Sequence, residues 1–320
     1  MAQDPPLEGP DPEGSSPPPL GWVWTPDYEV DIGAHVFPTV KYRRVKERLV
    51  AEGTLTTTGL RQPKPGTREE LLAAHTPQWV ETVLSGSLSP GEEQRLELPF
   101  SPALLHASLL CCGGTLLTAR LALEQGVAVH LGGGFHHAFA GHGEGFCLLN
   151  DIAVAAAVLR RTKELTRVAV VDLDVHHGNG TAHIFQGDAS VFTFSMHQER
   201  NYPLEKPPGD LDVGLEDGTG DETYLSLLET HLPKVLAHGP ELILYLAGAD
   251  PYREDQLGGL ALTLEGLRNR DRLTLEMARR AGVPVAVTLA GGYAFRQNDT
   301  VEIHCGTVRE AGRFVSTNEG

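Results

Sequence analysis

The stretch VVDLDVHHGNG, residues 170–180, sets two carboxylates, Asp172 and Asp174, at the end of an apolar run and follows them with the pair His176-His177. The full run, RVAVVDLDV (167–175), is almost continuously apolar, the composition of a strand covered on both faces. VAVHL (127–131), SVFTFSM (190–196), ELILYLAG (241–248) and VPVAVTLAG (283–291) have the same character. Helical patterns occupy 39–51, 101–125, 151–164, 221–238 and 264–281, several of them stopping at a glycine (Gly126, Gly239, Gly282) where a left-handed cap fits. Strands separated by helices pair in parallel. The spacing therefore predicts an α/β fold with a central, mostly parallel sheet flanked by helices on both faces.

In an open parallel sheet, ligands bind beyond the carboxyl ends of the strands, because those ends and their loops share one edge. The unusual residues of this chain obey that rule. VAVHL is followed by GGGFHHAFAGHGEGF, RVAVVDLDV by HHGNG, SVFTFSM by His197, ELILYLAG by ADPYRED, and VPVAVTLAG by Gly292-Tyr293. Each cluster follows its strand, so all of them are predicted to meet at one site.

Asp174 and His176 stand two apart on an extended segment and project to the same side, where they can share a cation. A third oxygen ligand completes the open three-ligand set of a catalytic Zn²⁺, and Asp255, in a loop just past another strand, is the best candidate. An isolated Asp-x-His is more often a capped turn with a packed imidazole. Three converging loops and a second His pair weigh against that here. The pair His136-His137 lies in a Gly-rich loop that allows close backbone approach, and one imidazole there can take a proton from water and return it to a leaving amine. Gly132, Gly133 and Gly134 fit neither a dinucleotide fingerprint nor a phosphate loop with Lys. Tyr293, after two glycines, can offer its hydroxyl to an oxyanion, although a Tyr after a turn is commonly only surface.

The bulk composition narrows the partners. With 26 Lys+Arg against 42 Asp+Glu the net charge is −16, which disfavours nonspecific binding to nucleic acid or an anionic membrane and leaves a cationic substrate open. Four cysteines (Cys111, Cys112, Cys147, Cys305) form no CxxC pair and suggest reduced thiols in the cytoplasm. No apolar run approaches the ~20 residues of a membrane helix, and the N-terminus lacks signal-peptide character, so a soluble protein is expected. Residues 1–20, rich in Pro, Gly and acid, are predicted to be a disordered tail, with a single domain over 21–320.

Taken in order, GGGFHHA, GFCLLND, VVDLDVHHGNG, GAD followed by RED, and AGGY resemble the zinc-dependent histone deacetylase family of the arginase/deacetylase superfamily, over residues 30–315. HVFPTVKY near the start and LGGLALT after Asp255 look most like the class IV type and its bacterial relatives. The resemblance implies that 21–320 is a deacetylase catalytic domain with Asp174, His176 and Asp255 as ligands of Zn²⁺, or of Fe²⁺ in its place. It also implies Tyr293 as oxyanion donor, His137 as general base and acid, and His136 beside it as a support held by Asp172. Asp172 is further expected at a K⁺ site with the hydroxyl of Ser195 and the carbonyls of Asp174, His176 and Met196. Gly145, Phe146, Tyr202 and Leu262 match positions lining a substrate tunnel.

Two departures from the class I pattern stand out. The residue expected to orient His137 is Asn179 rather than Asp, a partner that raises the imidazole's proton affinity less. The region of the acidic substrate-gripping residue is occupied by LELPFSP (96–102), with no clear counterpart. The activity implied is removal of an acyl group from lysine in a protein or peptide. An acetylpolyamine deacetylase acting on a small acylated amine is the nearest rival, an arginase-like two-metal hydrolase a weaker one, and an acyl-lysine binding module without turnover a rival of another class. No nucleic-acid or membrane partner is expected, and the oligomeric state is open.

Overall fold

The computed structural model describes residues 21–315; the proposed tail, residues 1–20, lies outside the described residues. Eight strands form one sheet: β1 (Gly21–Val23), β2 (Leu60–Arg61), β3 (Val127–His130), β4 (Val168–Asp172), β5 (Val191–Gln198), β6 (Leu211–Leu215), β7 (Leu242–Leu246) and β8 (Val285–Thr288). Their order is β2-β1-β3-β8-β7-β4-β5-β6 and every neighbouring pair is parallel. Among the described residues ten α-helices accompany them: α1 (Lys41–Ala51), α2 (Arg68–Leu71), α3 (Pro77–Ser85), α4 (Pro90–Leu96), α5 (Pro102–Gln125), α6 (Asp151–Arg161), α7 (Asn179–Phe185), α8 (Asp221–Ala237), α9 (Leu264–Arg280) and α10 (Gln297–Val315).

Alternation along the strands divides the core in two. Val168, Val170, Leu242, Leu244 and Ala286 face a layer built with α5 and α6, while Ala169, Val171, Ile243, Tyr245, Val285 and Val287 face the layer of α1, α8, α9 and α10. Each central strand is thus apolar on both faces, which is why its sequence shows no alternation. Truncating such a residue, for example Leu244, removes ~2–5 kcal/mol of stability. The five expected strands and five expected helices are present, most with shorter ends, while β5 runs two residues further, to Gln198. α5 is long and apolar enough to cross a membrane by length and composition, contrary to the expectation that no such run exists, but its residues pack against α6, β3 and β8 as a core helix.

The central register sets up the site. Asp172, Leu246 and Thr288 are partners across β4, β7 and β8, and His130 pairs with Thr288 from β3, so four strands end level. Leu173 N–H then donates to Leu246 O (3.1 Å), Ala247 N–H to Thr288 O (2.9 Å) and Leu289 N–H to Gly132 O (3.1 Å), which carries the alignment into the loops.

A buried histidine tied to those loops should make the fold acid-sensitive. His75 is 3% exposed, its Nδ1–H donates to Phe139 O (3.0 Å) and its Nε2 accepts from Asn150 N–H (3.1 Å), so both bonds require the neutral ring. Burial pushes its pKa down to about 4. The unfolded chain then binds the extra proton first, so stability is full above about pH 6.5 and falls as pH drops toward 4, by on the order of 3 kcal/mol at the lower end. Urea midpoints at pH 7 and pH 5 should show this loss, and His75→Gln should flatten it. An unchanged pH slope in the variant would exclude His75 as a source.

Candidate active site

The loop after β3 carries the His pair and is held from beneath. Asp151, at the start of α6 and fully buried, accepts from Gly134 N–H (3.0 Å) and Phe135 N–H (2.8 Å). Asn150 caps α6 through Ala153 N–H (2.9 Å), and its Nδ2 donates to His136 O (3.3 Å) and Ala138 O (3.0 Å). The GFCLLND segment therefore serves to clamp the histidine loop.

The clamped rings form a directed chain. His136 Nδ1 donates to Asp172 Oδ2 (2.6 Å), and His136 Nε2 lies 3.1 Å from His137 Nε2. His137 Nδ1 lies 2.7 Å from Asn179 Oδ1. The environments push the two rings apart. Burial alone would lower His136, but Asp172 and then Asp174 bring it up to about 9, so it is a cation. Burial, then the charges of His136 and His176, hold His137 well below the ordinary imidazole value, so it is neutral. A fixed cation beside a neutral imidazole suits one ring to electrostatic support and the other to proton transfer.

Opposite them the loops after β4 and β7 bring three carboxylates around His176, and the loop after β8 brings N–H donors to two of them. Asp174 Oδ1 accepts from the backbone and ring Nδ1 of His176 (3.0 Å each), and its Oδ2 accepts from Gly291 N–H (2.9 Å). Asp250 Oδ1 accepts from Val175 N–H (2.9 Å), while its Oδ2 lies 3.5 Å from His176 Nδ1 and is buried without a hydrogen-bond partner. Asp255 accepts from Tyr293 N–H (2.7 Å), Leu257 N–H (2.8 Å) and Gly258 N–H (3.1 Å). A side chain at Gly291 would collide with the Asp250 carboxylate and come within 2.6 Å of Asp174 Oδ2, so only glycine fits there.

The charges limit what this wall can hold. Burial and then the charge of Asp250 push Asp255 up to about 7, and burial followed by Asp174 raises Asp250. Against its own burial, His176 is brought up to about 10 by Asp174 and Asp250, which makes its proton a stand-in for a positive charge. Buried carboxylates this close are stable only when paired or ligating a metal. The N/O donor set and the partnerless Asp250 oxygen fit a divalent cation, and Asp174, His176 and Asp250 already hold ligand atoms within 4.8 Å of one another.

A cavity of ≈520 Å³, its open mouth included, leads to this wall past Glu97, Phe146, Tyr202 and Leu257, with His137, His176 and Tyr293 at its inner end. Tyr293 also lines the inner recess beside Asp174, and burial, then Asp250, keep its hydroxyl protonated. Gly145, Phe146 and Tyr202 line the passage. Leu262 does not: it is fully buried in the core, with its N–H on Pro251 O (3.2 Å), and Leu257 takes the wall position. Asp172 and Ser195 are register partners on β4 and β5 with Met196 buried next to them, and Ser195 Oγ lies 2.9 Å from His197 Nδ1.

Four residues near the site carried little signal. Asp250 is hidden beside Asp255 in ADPYRED. Glu97, in a left-handed conformation (φ 59°), brings an acid to the cavity mouth within LELPFSP, where no counterpart was evident. Glu144 joins Asn179 to Tyr202. Lys41 is buried among Phe37, Tyr42 and Tyr293, donates to Ala290 O (2.6 Å), and is lowered by burial to about 8 despite the nearby carboxylates. A lysine opening an ordinary helix gives no hint of such burial.

The Histone deacetylase domain model matches residues 35–306, and the chain belongs to the histone deacetylase family. It is 44% identical over 284 residues to an uncharacterized protein of Picosynechococcus sp., covering 88% of this chain and 95% of that one. It is 30% identical over 269 residues to Histone deacetylase 2 of Arabidopsis thaliana, covering 81% and 70%. Acetoin utilization protein AcuC of Bacillus subtilis is 32% identical over 257 residues, covering 72% of this chain and 66% of its own length. Among solved structures, a histone deacetylase homologue complexed with SAHA superposes with a TM-score of 0.76 at 26% identity, covering 92% and 84% of the two chains. The fold is that of the arginase/deacetylase group, and the family is one of amide-hydrolysing deacetylases.

Proposed function

We propose that this chain is a metal-dependent amidohydrolase that removes acetyl or longer acyl groups from lysine side chains. The observation that carries the reading is the pairing, in one cavity, of a neutral His137 beside a cationic His136 with a carboxylate-rich wall and the Tyr293 hydroxyl. Asp174, His176 and Asp255 would hold the ion, Zn²⁺ or Fe²⁺, with Asp250 adding negative charge behind them. When bound, the ion supplies a Lewis acid that polarises the amide carbonyl and lowers the pKa of water toward ~7.

The chain's own groups do the rest. Tyr293 donates to the oxyanion that forms as the carbonyl is attacked. His137 accepts the proton of the attacking water and returns a proton to the departing amine, while His136, held by Asp172, stays charged and favours the anionic transition state. Phe146, Tyr202 and Leu257 offer an apolar passage to the acyl-lysine stem. We assign K⁺ to Asp172, Ser195 and Met196 with the neighbouring carbonyls, 21–320 as the catalytic domain, and the cytoplasm as its place of action, the four cysteines being free and buried.

From the resemblance to the class IV type we expect turnover to extend beyond acetyl. A panel of lysine peptides carrying acyl groups of increasing length should retain kcat/KM for the long chains; turnover confined to acetyl would count against it. Glu97 at the mouth and the net charge of −16 favour a second reading, an acetylpolyamine deacetylase. Competing acetylpolyamine against acetyl-lysine peptide separates the two, and a clear kcat/KM preference for the polyamine would replace the first reading.

A further inference from the structure

We propose that Glu144 is a positioning residue that fixes the tautomer of His137 through Asn179, supplying at one remove the carboxylate that Asn179 lacks. The inference rests on the reading of His137 as the proton carrier. Glu144 is held rigidly: its N–H donates to Cys147 O (3.0 Å), Cys147 N–H donates back to Glu144 O (2.9 Å), and between them Gly145 and Phe146 turn the chain at φ 53° and 68°. A side chain at Gly145 would come within 2.9 Å of the Tyr202 hydroxyl and 3.0 Å of His137 Cδ2, so the turn packs directly on the ring it serves.

From that turn Oε1 accepts from Asn179 Nδ2 (2.6 Å) and from the Tyr202 hydroxyl (3.0 Å), while Oε2 lies 3.3 Å from His142 Nε2. Against a partial burial that favours the acid, these bonds, to His142, Asn179 and Tyr202, hold the carboxyl below its ordinary value, so it is ionised. An ionised carboxylate accepts and never donates. Asn179 must therefore turn its NH₂ toward Glu144 and its oxygen toward His137, although an amide by itself can present either end. Facing an acceptor 2.7 Å away, His137 must carry its proton on Nδ1. That leaves the Nε2 lone pair as the base, and the Nε2–H of the cationic His136, 3.1 Å away, calls for the same form, so Glu144 reinforces a preference that His136 also sets. The opposite tautomer would place the proton on Nε2 and remove the base from the cavity.

A merely structural Glu144 and a tautomer-fixing one differ in a double-mutant cycle on the zinc-loaded protein. Glu144→Ala should lower kcat by about 10-fold, the lower range for removing an orienting partner of a functional histidine, with KM little changed. Asn179→Asp puts an acceptor-only group directly on His137. In that background Glu144 is redundant and repels the introduced carboxylate, so Glu144→Ala should raise kcat instead of lowering it. Equal losses in both backgrounds, or wild-type kcat in Glu144→Ala, would overturn the proposal. Imidazole ¹⁵N NMR reads the tautomer without turnover: the wild type should show His137 as the Nδ1–H form alone and Glu144→Ala a smaller share of it, since only the contact with His136 then favours that form. A single unchanged tautomer in the variant would also overturn it. If the wild type fails to hydrolyse any acyl-lysine peptide, the proposed activity falls while the spectrum still decides the role of Glu144.

Discussion

Replacing His176 with Ala or Asp255 with Asn should abolish metal binding and activity together. Both expectations follow from charge. Asp174, Asp250 and Asp255 are nearly or fully buried around one imidazole, and the nearest lysine, Lys41, is turned to Ala290 O. If three protein ligands hold the ion in an open site, as proposed, loss of one leaves too little affinity to retain it. His176→Ala also removes the only nitrogen donor of the set. Asp255→Asn is the sharper test, because Asp250 Oδ2 lies nearer His176 Nδ1 and is the competing candidate for third ligand. Asp250→Asn should weaken the ion through lost background charge while retaining part of the occupancy. Metal content per chain, measured with circular dichroism to establish that each variant is folded, checks all three. Full occupancy in His176→Ala or Asp255→Asn would make the ligand assignment wrong, and two catalytic ions per wild-type chain would favour the arginase-like reading.

How much of this was legible in the sequence depends on whether a signal was local. The central strands were readable because burial on both faces leaves unbroken apolar runs, and Val168–Asp172 and Leu242–Leu246 are such runs. The edge was not: β6, LDVGL, is half exposed and interrupted by Gly214, and β1 and β2 have three and two residues, too few for a period to show. α10 was missed although it is long and its apolar residues recur at helical period, and it packs against α1 and α9. At the site, Asp174, His176 and the His136-His137 pair announced themselves by clustering after strands. Asp250 and Glu144 did not, because each acts through a partner far away in sequence: Asp250 faces His176 across 74 positions and Glu144 reaches Asn179 across 35. Leu262 shows the opposite error, a position carried over by resemblance whose side chain the local backbone turns into the core.

Tyr293→Phe should lower kcat by ~10²- to 10³-fold while leaving metal content, fold and KM close to wild type. The substitution removes one hydroxyl and keeps the ring, whose packing against Phe37, Phe146 and His176 at centroid distances of 6.4, 6.1 and 6.4 Å is independent of it. The contact of this residue with the ligand wall runs through its backbone, Tyr293 N–H to Asp255 Oδ2, and survives the change. Burial and the surrounding carboxylates keep the phenol protonated, so it acts as a donor across the working pH range. A donor facing a carbonyl oxygen binds a neutral substrate modestly and an oxyanion strongly, and the difference falls on kcat. A tyrosine merely packed after the Gly291-Gly292 turn would give near-wild-type turnover instead. Rates at matched metal occupancy decide between the two, and activity within a few-fold of wild type would remove Tyr293 from the chemistry and leave the oxyanion without a protein donor.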